Sequence, residues 1–302
     1  MKIGGIEKGS YVVAVSGGVD SMVLLHLLTQ QRQERGDKSL RLIAAHLDHG
    51  MRDDSHQDSA LVNEFAARHH IPIVIDRVKL GAHASEDKAR RVRYEFLHSV
   101  KQASGARAII TAHHGDDELE TAIINMLRGT GRKGLSSLRS GSHNDVLRPL
   151  LSYTKADLYD YASLHNVPWR EDDTNRDTRY TRNHIRHAVL GNASEQDKRQ
   201  LKWHIDRAHD INEQIDGYLT NVLHLQPSKN KLRLHTIRTY PHEIRRELMA
   251  AWLRHNDVRD FSRHTIERLV QVCCTADQQT RHEAVKGHHI QILPEVALLE
   301  KI

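Results

Sequence analysis

The chain has 302 residues, 38% hydrophobic and 27% charged, and no apolar run approaches the roughly 18 residues of a membrane-spanning helix, so an integral helical membrane protein is not expected. The opening MKIGGIEKGS has no apolar stretch before a small-residue cleavage site, so no secretory leader and a cytoplasmic location are expected. A formal charge of +5 with 24 histidines and a pI near 9.2 lean toward a polyanionic partner, while the only cysteines, Cys273 and Cys274, are adjacent and read as small buried hydrophobes rather than a disulfide or C-x-x-C site.

Up to about residue 151 short β-rich runs alternate with helical ones, the pattern of β-α units around a parallel sheet. The first strand, 11–15, ends in SGGVDS and leads into the leucine-rich helix SMVLLHLLTQQRQ. A buried strand, two glycines and a helix start present backbone N–H groups and a helix dipole to an anion. Gly17 and Gly18 let the backbone approach a phosphate, and Ser16 and Ser21 add hydroxyls. Asp20 is the misfit. A carboxylate beside a phosphate is repulsive unless a cation such as Mg²⁺ lies between them, although Asp20 could also cap the helix.

The second strand, 41–47, ends in HLDHGMR, at the carboxyl end where open α/β sheets place ligands. A third strand is expected at 71–74. Within the helix that follows, ARRVRY places Arg90 and Arg93 at i, i+3, so both can reach one anionic site. A strand at 106–111 precedes HHGDDELET, which opens a helix and sets Asp116 and Glu120 on one face, with Asp117 and Thr121 beside them. Acidic residues at a helix start also complement the dipole by themselves.

LRGTGRKGL contains a formal G-x-G-x-x-G, but it follows a helix rather than a strand, which excludes dinucleotide binding. The stretch 129–145 reads as a long, basic, functional loop before a strand at 146–150. Further on, WREDDTNRDTRYTRNHIRHAVL spaces Arg179, Arg182 and Arg186 as a basic helix face suited to phosphates. A long polar amphipathic helix begins near Ser194. Helical runs at 241–255 and 262–274 and short strands at the end make a smaller, mostly helical unit. The expected division is 1–192, a helical linker at 193–228, and 229–302.

SGGVDS between strand and helix resembles the signature of the PP-loop ATP pyrophosphatases, which cleave ATP between its α and β phosphates. With HLDHGMR, ARRVRY, HHGDDELET, LRGTGRKGL and DDTNRDTRYTRNHIR in this order, the chain is similar to the tRNA(Ile)-lysidine synthetase family over about residues 11–190. EIRRELMAAWLRHNDVRDFSRHTIERL is similar to that family's smaller C-terminal domain.

The resemblance implies an open, mostly parallel α/β sheet with helices on both faces (PP-loop, adenine nucleotide alpha hydrolase-like). It also implies a ligase that joins free L-lysine to C2 of the wobble cytidine of a CAU-anticodon isoleucine tRNA, through an adenylated cytidine. ATP and Mg²⁺ are the implied cofactors, with Val15, Ser16, Gly17, Gly18, Val19, Asp20 and Ser21 as the nucleotide loop. His46, Asp48 and His49 would lie near the adenosine. Arg128, Gly129 and Arg90 would support the phosphates. Asp116, Asp117 and Glu120 would bind lysine, bind Mg²⁺ or take the amine's proton, with Asp20 and Asp117 as metal ligands. Arg132, Lys133, Arg179, Arg182 and Arg186 would face the tRNA, and the oligomeric state is left open, a homodimer included.

Three rivals remain. A tRNA thiolase of the same superfamily would call for C-x-x-C pairs. A small-molecule amidating synthetase would share the loop but not the later motifs. A non-catalytic RNA-binding relative would have lost a loop glycine or aspartate, and here all are present.

Overall fold

The structure is a computed structural model and describes residues 1–36, 39–48, 50, 55–79, 86–139, 145–171, 181–258, 261–276 and 279–302. Strands β1 (Gly9–Ala14), β2 (Leu40–Asp48), β3 (Ile73–Arg77), β4 (Ala108–Ile110) and β5 (Val146–Leu147) form one parallel sheet in the order β3-β2-β1-β4-β5. All five occur where the β-rich runs predict them, β3 shifted toward its carboxyl side. Alternation along β1 splits the core in two. Tyr11, Val13 and Val15 pack with α1 (Val19–Arg35), α2 (Ser55–Arg68) and α5 (Lys155–Leu164). Val12 points the other way, with Ile109, toward Leu97 and Val100 of α3 (Glu86–Ser104). Helices therefore cover both faces of the sheet, as expected.

Local signals set the helix ends. Helix α1 carries Asp20 in its first turn and Arg32 and Arg35 in its last, each complementing the dipole, and Gly36 closes it at φ 62°. Helix α4 (Gly115–Leu127) starts at a capping box in which the His114 N–H donates to the Asp117 carboxylate. Helix α5, absent from the elements predicted above, starts at a second box, Thr154 with Asp157. The short α6 (Thr181–His184) runs into a π-helical turn, Ile185–Leu190, and α7 (Glu195–His224) follows. Among the described residues no helix is long and apolar enough to cross a membrane.

From β1 the chain lays β2 and β3 to one side and then returns with β4 on the other. The carboxyl ends of β1 and β4 therefore flank a topological switch point, where an open α/β sheet leaves a crevice.

The chain divides into two compact units, Met1–His209 and Asp210–Ile302; the division falls within the segment 193–228 read above as a linker. The second unit packs α8 (Leu234–Thr239), α9 (His242–His255) and α10 (Arg263–Thr275) with an antiparallel sheet ordered β6-β9-β8-β7 (β6 Lys231–Arg233, β7 Thr280–Val285, β8 His288–Ile292, β9 Val296–Lys301). Its core is built around the fully buried Trp252, Leu248, Leu253 and Leu269. Cys273 belongs to that core, and burial pushes its thiol up to about 12.

Three histidines gather where α1, α2 and α5 meet. His26 Nδ1–H donates to the Tyr161 hydroxyl (3.0 Å), which donates in turn to Gln30 (2.9 Å). The His165 ring stacks at 4.1 Å from Tyr161, and the His69 ring at 4.5 Å from Phe65. Burial holds His26 below the ordinary imidazole range, helped by His165 and His69. His69 is lowered by burial and then by Arg68 and Arg32. Both bind a proton less readily in the folded chain than in the unfolded one, so just below pH 6.5 the unfolded chain binds more protons and stability rises with pH. The thermal midpoint is expected to fall between pH 7.5 and 5.5, and to fall less in His26→Gln and His69→Gln. An unchanged pH difference in both variants would contradict this.

Candidate active site

The loop after β1 is held from several sides. Val15 N–H donates to Ala45 O (3.0 Å), and the Ser16 N–H to Ser21 Oγ (3.1 Å), which itself donates to Gly18 O (2.9 Å). Gly17 has φ 94°, and a Cβ there would meet Asp58 Cβ at 3.1 Å. Arg170 closes the far side, its N–H on Gly17 O (3.0 Å) and its Nε on Asp58 Oδ1 (2.9 Å). Gly18 is the N-cap of α1, so the first-turn N–H groups of Val19, Asp20 and Ser21 have no intrahelical acceptor and can bind an anion.

At the end of β2, His46 is buried. Its Nδ1–H donates to Val15 O (2.9 Å), which leaves Nε2 as a buried acceptor without a partner among the described residues. Asp48 accepts from Gly50 N–H (2.8 Å) and Ser55 Oγ (3.1 Å), with Arg77 Nε at 3.2 Å. Burial raises its carboxyl, but these partners outweigh burial and hold it low. His49 lies outside the described residues. A glycine cradle, free helix-start donors and an orphaned buried imidazole nitrogen fit a nucleotide placed across the ends of β1 and β2.

The start of α4 supplies the other wall. The buried His114 is ringed by carboxylates, its Nε2 3.5 Å from Asp117 and 3.9 Å from Asp20, its Nδ1 3.7 Å from Asp116. Asp20 binds Lys155 Nζ (2.7 and 2.9 Å), and the Lys155 N–H donates to Asp116 (2.8 Å). Glu120 is fully buried and accepts from Arg182 Nε (3.0 Å) and Arg186 Nε (2.6 Å). Burial raises the Asp117 carboxyl, yet His114, His113 and Arg182 together keep it below the ordinary range. Among the described residues no group of three or more His, Cys, Asp or Glu forms a metal cage. A Mg²⁺ here would need phosphate oxygens beside Asp20 or Asp117, which is the usual manner of binding of that ion.

The expected site residues thus separate into groups. Residues 15–21, His46, Asp48, Asp116, Asp117 and Glu120 gather at the carboxyl ends of β1, β2 and β4. Arg90 stands over the Tyr94 ring (5.0 Å) and helps, after burial, to lower His113 to about 3. Arg182 and Arg186, expected on an outward phosphate face, turn inward because the buried Glu120 draws both guanidiniums. Arg128 and Gly129 end α4, about 18 Å along its axis from Asp116 at 1.5 Å per residue. Arg132 and Lys133 are half-buried in the segment after α4, and Arg179 lies outside the described residues.

Four participants were not singled out from the sequence. Lys155 is signalled only by the T-x-x-D capping box that starts α5. His114 stands in the HHGDD stretch, and Arg170 in WREDD. Asp58, on α2, carries no local signal.

A family model described as a PP-loop domain matches residues 3–193. The tRNA(Ile)-lysidine synthase of Exiguobacterium sibiricum is 34% identical over 266 residues, 85% of this chain and 62% of that protein. That of Thermotoga maritima is 38% identical over 192 residues, 61% of this chain and 45% of its own. That of Thermus thermophilus is 41% identical over 185 residues, 59% and 34%. The chain therefore spans between about a third and three-fifths of the length of these curated relatives. Among solved structures, the U34-tRNA thiolase NcsA from Methanococcus maripaludis, with its iron–sulfur cluster, has a TM-score of 0.56 at 16% identity, covering 69% of this chain and 74% of that one.

Proposed function

The chain belongs to the PP-loop domain family, and on that premise we propose that it ligates lysine to C2 of the wobble cytidine of a CAU-anticodon isoleucine tRNA at the expense of ATP. One observation carries the reading beyond ATP use. The phosphate-type loop and the cation-binding carboxylates share one crevice, Asp20 and Asp117 both lying within 3.9 Å of His114 Nε2. An ammonium nucleophile and a nucleoside triphosphate can therefore meet there.

In the first step the cytidine O2 attacks the α-phosphate and pyrophosphate leaves. The N–H groups of the 16–21 loop stabilise the departing charge. Mg²⁺, held by Asp20 or Asp117 together with phosphate oxygens, would supply further neutralisation. In the second step the lysine ε-amine attacks C2, AMP leaves with the O2 oxygen, and a proton passes to a carboxylate. That proton is held firmly, since the free amine has a pKa of about 10.4. Asp117, kept ionised by its neighbours, is suited to binding the cation rather than to taking its proton. Asp116, half-buried beside it, is assigned the proton. The cytidine must leave its stack to react, at a cost of a few kcal/mol that the pocket offsets. ATP, lysine and tRNA meet in the cytoplasm, where we place the reaction.

The thiolase reading lacks its sulfur chemistry here. Cys273 is buried with its thiol pushed up to about 12, and Cys274 is its direct neighbour.

The test incubates the protein with Mg²⁺, ATP, labelled lysine and the CAU-anticodon isoleucine transcript, and follows label in RNA beside AMP release. Label that depends on ATP and on the wobble cytidine is expected. In Asp116→Asn both should fall by roughly 100-fold or more, the usual size of a lost general base. AMP release without label would remove lysine as the nucleophile and return the question to the amidating and thiolase chemistries.

A further inference from the structure

The first half of α7 has two unlike faces. Leu201 and Ile205 pack with Leu119, Ala122 and Ile185. Lys202 donates to the buried Glu118, and Asp206 lies 2.8 Å from Arg139 Nη2. This face binds the helix to α4, whose first turn carries Asp116 and Asp117, and to the basic segment after it.

The face turned away from Leu201 and Ile205 presents Arg199, Trp203 and Arg207 at i, i+4 and i+8, stacked in one row with Asp206 at its flank. All three are exposed, and Trp203 keeps 61% of its surface in solvent. Its ring meets His204 edge-on at 4.9 Å. The two arginines stand about 12 Å apart along the axis, from the 1.5 Å rise per residue. Three of the neighbouring acids are engaged elsewhere: Glu195 with Lys198 (2.8 Å), Asp197 with Ser194 (2.6 Å), Asp206 with Arg139; Asp210, three residues beyond Arg207, is exposed. Among the described residues neither Arg199 nor Arg207 forms a hydrogen bond or ion pair. Arg199 only adds to the field on Glu195.

A planar apolar ring between two uncommitted guanidiniums is complementary to a nucleotide in a strand, a planar base between two phosphates. Indole stacking accepts any base, and arginine takes phosphate with a fork of donors. Unpaired nucleotides of folded RNA are recognised in this way, whereas the narrow deep groove of an RNA duplex excludes side chains. We propose that Arg199, Trp203 and Arg207 form an RNA-contact surface on α7, the indole stacking on an unpaired base and the arginines holding its flanking phosphates. The inference rests on the tRNA reading for the identity of the RNA; the surface itself is assigned from the helix face.

Equilibrium binding of the isoleucine transcript and of an unstructured uridine oligonucleotide tests it, read by filter retention and by quenching of the exposed indole. Trp203→Ala should weaken transcript binding roughly 5- to 100-fold, the range for one lost stack, and Trp203→Phe should restore most of it. Arg199→Ala with Arg207→Ala should lower the slope of log affinity against log salt by about 1 to 2. The variants change exposed side chains, so an unchanged thermal midpoint is the check on folding. Wild-type affinity and salt slope in all of them, with the parent still binding tRNA and forming lysidine, would overturn the surface and leave the tRNA reading standing. Trp203-dependent binding of the oligonucleotide without lysidine formation would keep the surface and remove that reading. Loss of self-association in Trp203→Ala, with RNA binding unaltered, would assign the face to a second copy of the chain and overturn the proposal.

Discussion

Glu120→Ala is expected to destabilise the first unit by about 3–5 kcal/mol, the usual result of removing one partner from a buried ion pair. Glu120 is fully buried and holds Arg186 through Nε (2.6 Å) and Nη2 (3.1 Å) and Arg182 through Nε (3.0 Å). Burial alone would lower Arg186, but its bonds to Glu120 raise it above the ordinary guanidinium value, so it stays charged. Alanine leaves both cations without their anion. A fall in thermal midpoint on the order of 10 °C follows from the entropy of unfolding a unit of this size. Replacing the whole set, Glu120→Leu with Arg182→Met and Arg186→Leu, should recover much of the stability, because apolar groups of similar volume need no charge partner. A midpoint in Glu120→Ala within 2 °C of the parent would show that Glu120 does not hold these arginines.

Gly17→Ala should reduce ATP-dependent turnover by about 100-fold or more, since a displacement of about 1 Å at a reacting centre has effects of that size. Gly17 has φ 94°, and its added Cβ would stand 3.1 Å from Asp58 Cβ and 3.5 Å from Asp58 Cα. Asp58 cannot retreat, because it is buried and bound to Arg170, whose own N–H fixes the Gly17 carbonyl. The left-handed backbone adds roughly 1–2 kcal/mol of strain for any L side chain. Gly18 is the internal control. Its φ is −74°, and a Cβ there meets Ser16 Oγ at 3.6 Å and Arg170 O at 4.0 Å, both ordinary contacts, so Gly18→Ala should keep the stability of the free protein. Equal destabilisation by the two substitutions would refute the backbone argument.

Local order along the chain carried most of the architecture. The central strands β1, β2 and β4 could be read as buried apolar runs, the exposed edge strand β3 still carries the β-branched Ile73, Val74 and Ile75, and SGGVDS marked the turn into α1. Helix α5 escaped notice because its apolar positions, Leu158, Tyr161 and Ala162, are few, and its start is marked only by Thr154 and Asp157. With it went Lys155, the cation that Asp20 holds.

What the sequence determined by itself was the parallel α/β order, the glycine turn at residues 15–21 that leads into α1 and the acidic start of α4, each a short-range pattern set by backbone periodicity and helix-end electrostatics. Only the tertiary structure decided which charges meet: Asp58 with Arg170 across 112 positions, Asp20 with Lys155 across 135, Glu120 with Arg186 across 66. The physical reason is that desolvation, full at Glu120, nearly full at Asp58 and partial at Asp20, forces a carboxylate to take whichever cation the sheet topology brings within reach. Strand order, not spacing along the chain, makes that choice.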